Sequence, residues 1–430
     1  MIWDVLRNKR KEGKAIGITS VCSANKFVIK ASMIFAKKNN TQLLIESTSN
    51  QVDQFGGYTG MTPEMFKDYV ISLAHETGFN EENLILGGDH LGPNVWKNLP
   101  SSQAMENAKE QIAAYAKAGY LKFHLDTSFV LGDDKTTGGK LNPELITLRA
   151  AELCETVEKN FRDEKNKPVY VIGTDVPIPG GAIENEEDFE TTTAGELEET
   201  IELSKRAFYS RGLEEAWERV IAVVVQPGVE FSHTKILPYS RERNTGLINK
   251  INDYDNLFFE AHSTDYQMPD ALKKMVEDHF VILKVGPWLT FALREALFAL
   301  YYIEREMFKN KKNYKYSKLI ETVENEMKSN PQYWKNHYKN ELGPENPDLF
   351  FSYSDRIRYY WTNATVNNSV NMLLQNLSQV EIPDTLISQF MPVQYNQIRE
   401  GVTGKKPTDL INSKISEVLS VYHYATGGKI

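Results

Sequence analysis

Four of the eight histidines, His90, His124, His233 and His262, fall at or just after short apolar runs, and each has a carboxylate within three residues. Imidazole beside carboxylate is the donor set of a divalent metal site next to a proton-transfer group. The stretch GGDHLGPN (87–94) is the sharpest case: two glycines permit a tight turn, and Asp89 and His90 follow at once. A divalent ion held by three of these four histidines is the expected cofactor, with zinc or manganese suiting the ligands. His75, His279, His337 and His423 lie in helical or connecting stretches and read as structural.

A ring of carboxylates accompanies them: Glu46, Asp126, Asp175, Glu230 and Glu260. A buried carboxylate is costly unless it ligates, hydrogen-bonds or titrates for a purpose. Asp89, Glu46, Asp126 and Glu230 are the catalytic candidates, and two of the five ring carboxylates should be scaffolding. Substrate contacts are expected from Gln54 in the polar, glycine-rich QVDQFGGYTG, from Asp175, and from Lys284 with the Gly286 amide in KVGP as a phosphate holder. Lys284 can equally pair a carboxylate. In SYSDRIRYYW (352–361), Arg356 or Arg358 can reach a phosphate, against the plainer reading of an amphipathic helix that packs its aromatics.

Something must carry these groups to one place. Eight apolar runs recur, at 15–20, 42–46, 83–86, 121–125, 169–173, 221–225, 257–261 and 281–285, and nearly every one ends in a reactive cluster. Helical patterns fill several of the intervals, at 25–38, 63–75, 103–119, 144–160 and 197–212. Alternating strands and helices imply parallel pairing, and eight units permit closure into a (β/α)8 barrel with its chemistry at the strand C-termini. A doubly wound open sheet would leave most strand ends without chemistry. The chain is therefore read as a TIM barrel over 1–305, with an eighth helix at 291–306, followed by a mainly helical region over 306–430. Helices are expected there at 321–340, 364–377, 386–400 and 408–424.

Composition narrows the function. A net charge of −9 disfavours non-specific nucleic-acid binding. Two cysteines imply no disulfide framework, and neither a signal-peptide core nor a membrane-length apolar run is present, so a cytoplasmic location without membrane contact is expected. No GxxxxGK[ST], GxGxxG or GxSxG motif occurs, which disfavours kinases of the P-loop type, dinucleotide enzymes and serine hydrolases.

At the longer motifs the chain resembles the GatZ/KbaZ family, the Z component of tagatose-1,6-bisphosphate aldolase. The likeness is carried by SVCSAN, LLIESTSNQVDQFGGYTGMTP, LILGGDHLGPN, KFHLDTS, YVIGTDVPIPGGA, VIAVVVQPGVEFSH, FEAHSTDYQ and HFVILKVGPWLTFALREALFAL. The resemblance implies a TIM barrel laid out like class II aldolases. It makes Asp89 a proton donor or acceptor and His90, His233 and His262 metal ligands. Asn25 stands where the family pattern has histidine, and Asp175 where it has glutamate. The family reading divides between an accessory subunit that stabilises a separate Y component and an enzyme interconverting tagatose 6-phosphate and fructose 6-phosphate at C4. The expected partners are a sugar phosphate and a class II aldolase Y subunit. A homo-oligomer is left open.

Overall fold

The computed structural model describes residues 2–163, 165–173, 191–338 and 347–428. Eight parallel strands close into a barrel: β1 (Ile18–Val21), β2 (Leu43–Thr48), β3 (Leu84–Leu91), β4 (Lys122–Leu125), β5 (Val169–Gly173), β6 (Val220–Val224), β7 (Phe258–Ala261) and β8 (Phe280–Val285). Each pairs with its sequence neighbours, and β8 closes on β1 with Ser20 opposite Lys284. The intervening helices begin and end on local chemistry. Thr62 accepts the Met65 N–H ahead of Pro63–Thr77, and Gly78 in the left-handed region ends that helix.

Side chains inside a barrel alternate with those outside, so one strand supplies successive layers. Ile282 and Lys284, Leu44 and Glu46, and Phe258, Glu260 and His262 illustrate the step from apolar to charged to reactive. The lower layer includes Ile18, Leu44, Ile85, Val169, Val171, Ala222, Phe258 and Ile282, and the buried Trp3 and Leu6 close it from below. They belong to the helix Ile2–Lys11, which the sequence reading did not anticipate. The upper layer is ionic. Lys122 of β4 reaches Glu260 of β7 at 2.6 Å, a contact between strands that are not neighbours and that can only cross the interior.

A mainly helical region follows the helix Pro287–Phe308. Prolines set its breaks more finely than the sequence reading expected. The helix expected at 321–340 is Leu319–Ser329 with a separate turn at Pro331–Tyr333, and 386–400 divides into Asp384–Phe390 and Pro392–Arg399. The last helix, Pro407–Ala425, packs on Lys26–Asn39, Pro269–Glu277 and Pro287–Phe308. Residues 352–361 are no amphipathic helix. They hold a single 3₁₀ stretch, Arg356–Tyr360, laid over the barrel mouth, where the Tyr353 N–H donates to the His233 carbonyl and the Tyr266 hydroxyl to the Tyr353 carbonyl. No helix among the described residues is long and apolar enough to cross a membrane.

Candidate active site

Adjacent strand residues point to opposite faces, so Asp89 and His90 should not serve one cavity. They do because β3 is irregular here: its register against β4 shifts between Gly88 and Leu91, and His90 adopts φ +48°. Both then line the cavity at the C-terminal mouth, together with Cys22, Gln51, Tyr58, Asn94, His262, Asp265, Lys284 and Arg358. Gly92 is required by close approach, since a Cβ there would lie 1.8 Å from the Asp126 carbonyl oxygen. That approach brings the Asp126 carboxylate to His90.

Asp89, His90, His124 and His262 each offer a ligand atom within 4.8 Å of the others, and all four are buried. One nitrogen of each ring faces an acceptor, and for His262 that nitrogen, Nε2, also lies 4.0 Å from Asp89 Oδ1. His90 Nδ1 lies 2.8 Å from Asp126, His262 Nε2 lies 3.1 Å from Glu260, and His124 Nε2 lies 3.1 Å from the Gly173 carbonyl. With a proton on each of those nitrogens, the opposite nitrogen of each ring presents a lone pair. His262 Nδ1 has no hydrogen-bond partner among the described residues. His124 Nδ1 accepts the His90 N–H at 3.2 Å and faces Asp89 Oδ1 at 3.0 Å, which makes it the least available of the three. Two acceptors facing each other at that distance need a cation or a proton nearby. An acceptor on the second ring nitrogen, as His90 and His124 have, is what orients a metal-binding histidine, and the donor set fits a divalent ion.

Below the cluster lies the ionic layer. Lys122 Nζ meets Glu46 at 2.8 Å and Glu260 at 2.6 Å, and Lys284 Nζ meets Asp89 at 2.7 Å, Glu46 at 2.9 Å and Glu260 at 3.2 Å. Three carboxylates face these two ammonium groups, and Asp126 adds a fourth against His90, so the region favours a further cation. Burial opposes ionisation of Asp89, but Lys284 and His90 hold its carboxyl well below the usual range. Burial would lower His90, yet the Asp89 and Asp126 carboxylates outweigh it and lift the ring to about 9, so a divalent ion would have to displace the Nε2 proton before it met a lone pair there. Burial takes His262 the other way, down to about 3, against the pull of Glu260.

Several expected site residues are placed otherwise. His233 stands outside the four-residue cluster: its Nδ1 faces Ser354 Oγ at 3.3 Å and its ring packs on Tyr338, because the loop after β6 turns toward the C-terminal region. Glu46 is locked between two lysines and the Ser20 hydroxyl, fully buried, as scaffolding for the ionic layer. Asp126 orients His90. Glu230 accepts from Ser263 and from the Phe231 N–H, and it does not line the cavity. Gln54 donates to the Asn107 carbonyl, while Gln51 takes its place in the cavity wall.

The phosphate holder of KVGP is also displaced. Lys284 is committed to three carboxylates. The Gly286 N–H donates at 3.1 Å to Asp265, which also takes the Trp288 N–H and so fills the anion site at that helix N-terminus. Burial pushes Asp265 up to about 6 despite those two donors. Of the two arginines, Arg358 reaches the cavity and Arg356 does not; Arg356 donates to the Tyr333 carbonyl. Asp175 lies outside the described residues. The sequence reading missed Lys122 and Asp265, and it set His124 aside when the ligands were chosen. Period-two spacing was the available signal: Lys122 precedes His124 by two, as Glu260 precedes His262.

The family model described as D-tagatose-1,6-bisphosphate aldolase subunit GatZ/KbaZ-like matches residues 4–427. The chain belongs to that family. Among solved structures, a probable tagatose 6 phosphate kinase from Sinorhizobium meliloti 1021 is 41% identical, with a TM-score of 0.87 over 95% of this chain and 100% of that one. The YdjI aldolase from Escherichia coli K12 is 11% identical, with a TM-score of 0.41 over 72% of this chain and 88% of that one. A fructose-bisphosphate aldolase from Campylobacter jejuni is 14% identical, with a TM-score of 0.44 over 87% and 90%. The GatZ/KbaZ-like assignment rests on the family model and the first of these.

Proposed function

We propose that this GatZ/KbaZ-like protein inverts C4 of a ketohexose 6-phosphate, tagatose 6-phosphate against fructose 6-phosphate, by cleaving and remaking the C3–C4 bond. The observation that supports it is the set of three buried histidines, each with one ring nitrogen engaged by an acceptor, around Asp89. His90, His124 and His262 would hold a divalent ion beside Asp89. Such an ion supplies Lewis-acid polarisation of the C2 carbonyl.

The chain's own groups account for the proton. Asp89 is ionised, and Lys284 occupies its Oδ1, leaving Oδ2 toward Cys22 at 3.8 Å. Oδ2 removes the C4 hydroxyl proton. The C3–C4 electron pair moves to the three-carbon fragment as C4 becomes an aldehyde. The aldehyde turns its other face, C3 attacks it, and Asp89 returns the proton to the C4 oxygen. The C4 hydrogen never leaves carbon, and no redox cofactor is consumed. Arg358, which lines the cavity, would meet the phosphate.

The test is to incubate the protein alone with fructose 6-phosphate and zinc or manganese, and to look for tagatose 6-phosphate. In deuterated water the product should retain hydrogen at C4; full exchange would rule out bond cleavage in favour of enolisation. A second reading follows from the family description, which names a subunit: stabilisation of a separate class II aldolase. No turnover, together with tight binding to and activation of such an aldolase, would select it.

A further inference from the structure

The main cavity does not end at the metal-ligand cluster. Cys22, Gln51, Tyr58, Gly286, Pro287 and Arg358 form a shared wall, and behind it lies a smaller side chamber between the barrel and the C-terminal region. Ser23, Asn25, Thr290, Trp361 and Thr362 complete that chamber. Trp361 also lines a third cavity beyond it, which includes Lys26 and opens among Lys26–Asn39, Pro287–Phe308 and Ala364–Ser378.

Charge sorts these spaces. Asp89 and Asp265 face the main cavity, whereas no carboxylate is among the described residues lining the side chamber or the space beyond it. Arg358 and Lys26 supply positive charge there. The Arg358 guanidinium is held by the Ser354 and Asp355 carbonyls and by the Tyr359 hydroxyl, all neutral acceptors. Among the described residues it forms no ion pair, in contrast to Lys284 with its three carboxylates. Trp361 is only 7% exposed, and its indole N–H finds no acceptor among the described residues. A buried donor left unpaired costs about 1–3 kcal/mol, so the chamber calls for an acceptor.

We infer that this side chamber is the anchoring subsite for the single phosphoryl group of the substrate, gripped by the Arg358 guanidinium and the Trp361 indole N–H. The inference rests on the sugar-phosphate reading above but makes a separate claim about place. It assigns phosphate recognition to the C-terminal region rather than to the loops after β7 and β8, where Asp265 already fills the anion site. It also makes the substrate a monophosphate. The main cavity's own lysine is spent on carboxylates, so a second phosphate would find no further free cation among the described residues that line it.

Calorimetric titration with inorganic phosphate tests it without requiring turnover. Wild-type protein should bind phosphate. Arg358→Gln should weaken binding about 10- to 100-fold, and Trp361→Phe, which keeps a ring in place but removes the donor, about 2- to 10-fold. Arg358→Lys, retaining charge without the fork, should fall between Arg358→Gln and wild type, which guards against a fold defect in the glutamine variant. With turnover, the same variants should raise KM for the 6-phosphate by a larger factor than KM for the unphosphorylated ketohexose. Phosphate affinity unchanged in either Arg358→Gln or Trp361→Phe overturns the subsite, as does equal loss for phosphorylated and free sugars. Loss of phosphate binding in the variants of a protein that never turns over sugar keeps the subsite and rejects the epimerase reading.

Discussion

The lower and upper halves of the barrel interior are built from the same strands and solve opposite problems. The lower half is closed by Trp3 and Leu6 over aliphatic and aromatic side chains, and any of several similar residues would fill it. The upper half buries Glu46, Lys122, Glu260 and Lys284 in mutual contact, where each charge is tolerable only because the others are present. Well-packed apolar residues would stabilise this layer at least as well. Its retention makes sense as support for chemistry, because it fixes Asp89 through Lys284 and His262 through Glu260.

Breaking the chemistry at the top should have the largest effect. Asp89→Asn is expected to lower turnover by about 10²–10⁴, a far larger effect than the drop in thermal midpoint from losing its Lys284 ion pair, measured by coupled assay and calorimetry. Comparable loss of stability would instead make Asp89 part of the scaffold.

The layer beneath should answer in stability. Lys122→Met leaves Glu46 and Glu260 sharing one lysine and should cost about 3–5 kcal/mol in denaturant unfolding. In the lower half Ile282→Val should cost only about 0.5–1.5 kcal/mol. Equal costs would erase the distinction between the halves.

Metal binding sharpens the assignment of ligands. By competition with a zinc chelator, Asp126→Asn should weaken affinity about 10- to 100-fold through His90, and His124→Ala should also weaken it, while His233→Ala leaves it unchanged. A loss confined to His233→Ala would restore the ligand set implied by the family resemblance.

The smallest effect concerns Asp355, which sits beside the phosphate-facing segment. Burial raises its carboxyl to about 7 despite the Thr290 hydrogen bond, and its Oδ1 has no partner among the described residues. A carboxyl whose pKa is raised by folding binds its proton more tightly in the native state, so its contribution is complete below about pH 4 and is lost as pH rises through about 7. Asp355→Asn should flatten that part of the stability–pH curve, by no more than a few kcal/mol between pH 4 and 8. An unchanged slope would mean that the carboxyl titrates normally.

The sequence by itself determined the barrel, its order of strands and helices, and the mouth at which the chemistry gathers. Periodicity and turn residues are local properties, and the reactive clusters stood at the ends of the apolar runs. It also picked out Asp89 with the adjacent His90, and His262 two residues after Glu260. Which third histidine completes the cluster was decided only in three dimensions. The loop after β6 carries His233 toward Ser354 and Tyr338, while β4 holds His124 rigidly across from Asp89. The fate of Lys284 was likewise undecidable from its neighbours in the chain, because its partners Glu46, Asp89 and Glu260 come from three other strands. So was the difference between Arg356 and Arg358, two residues apart on one short 3₁₀ stretch. Spacing along a strand fixes which face a side chain shares, but only closure of the barrel fixes what stands opposite it.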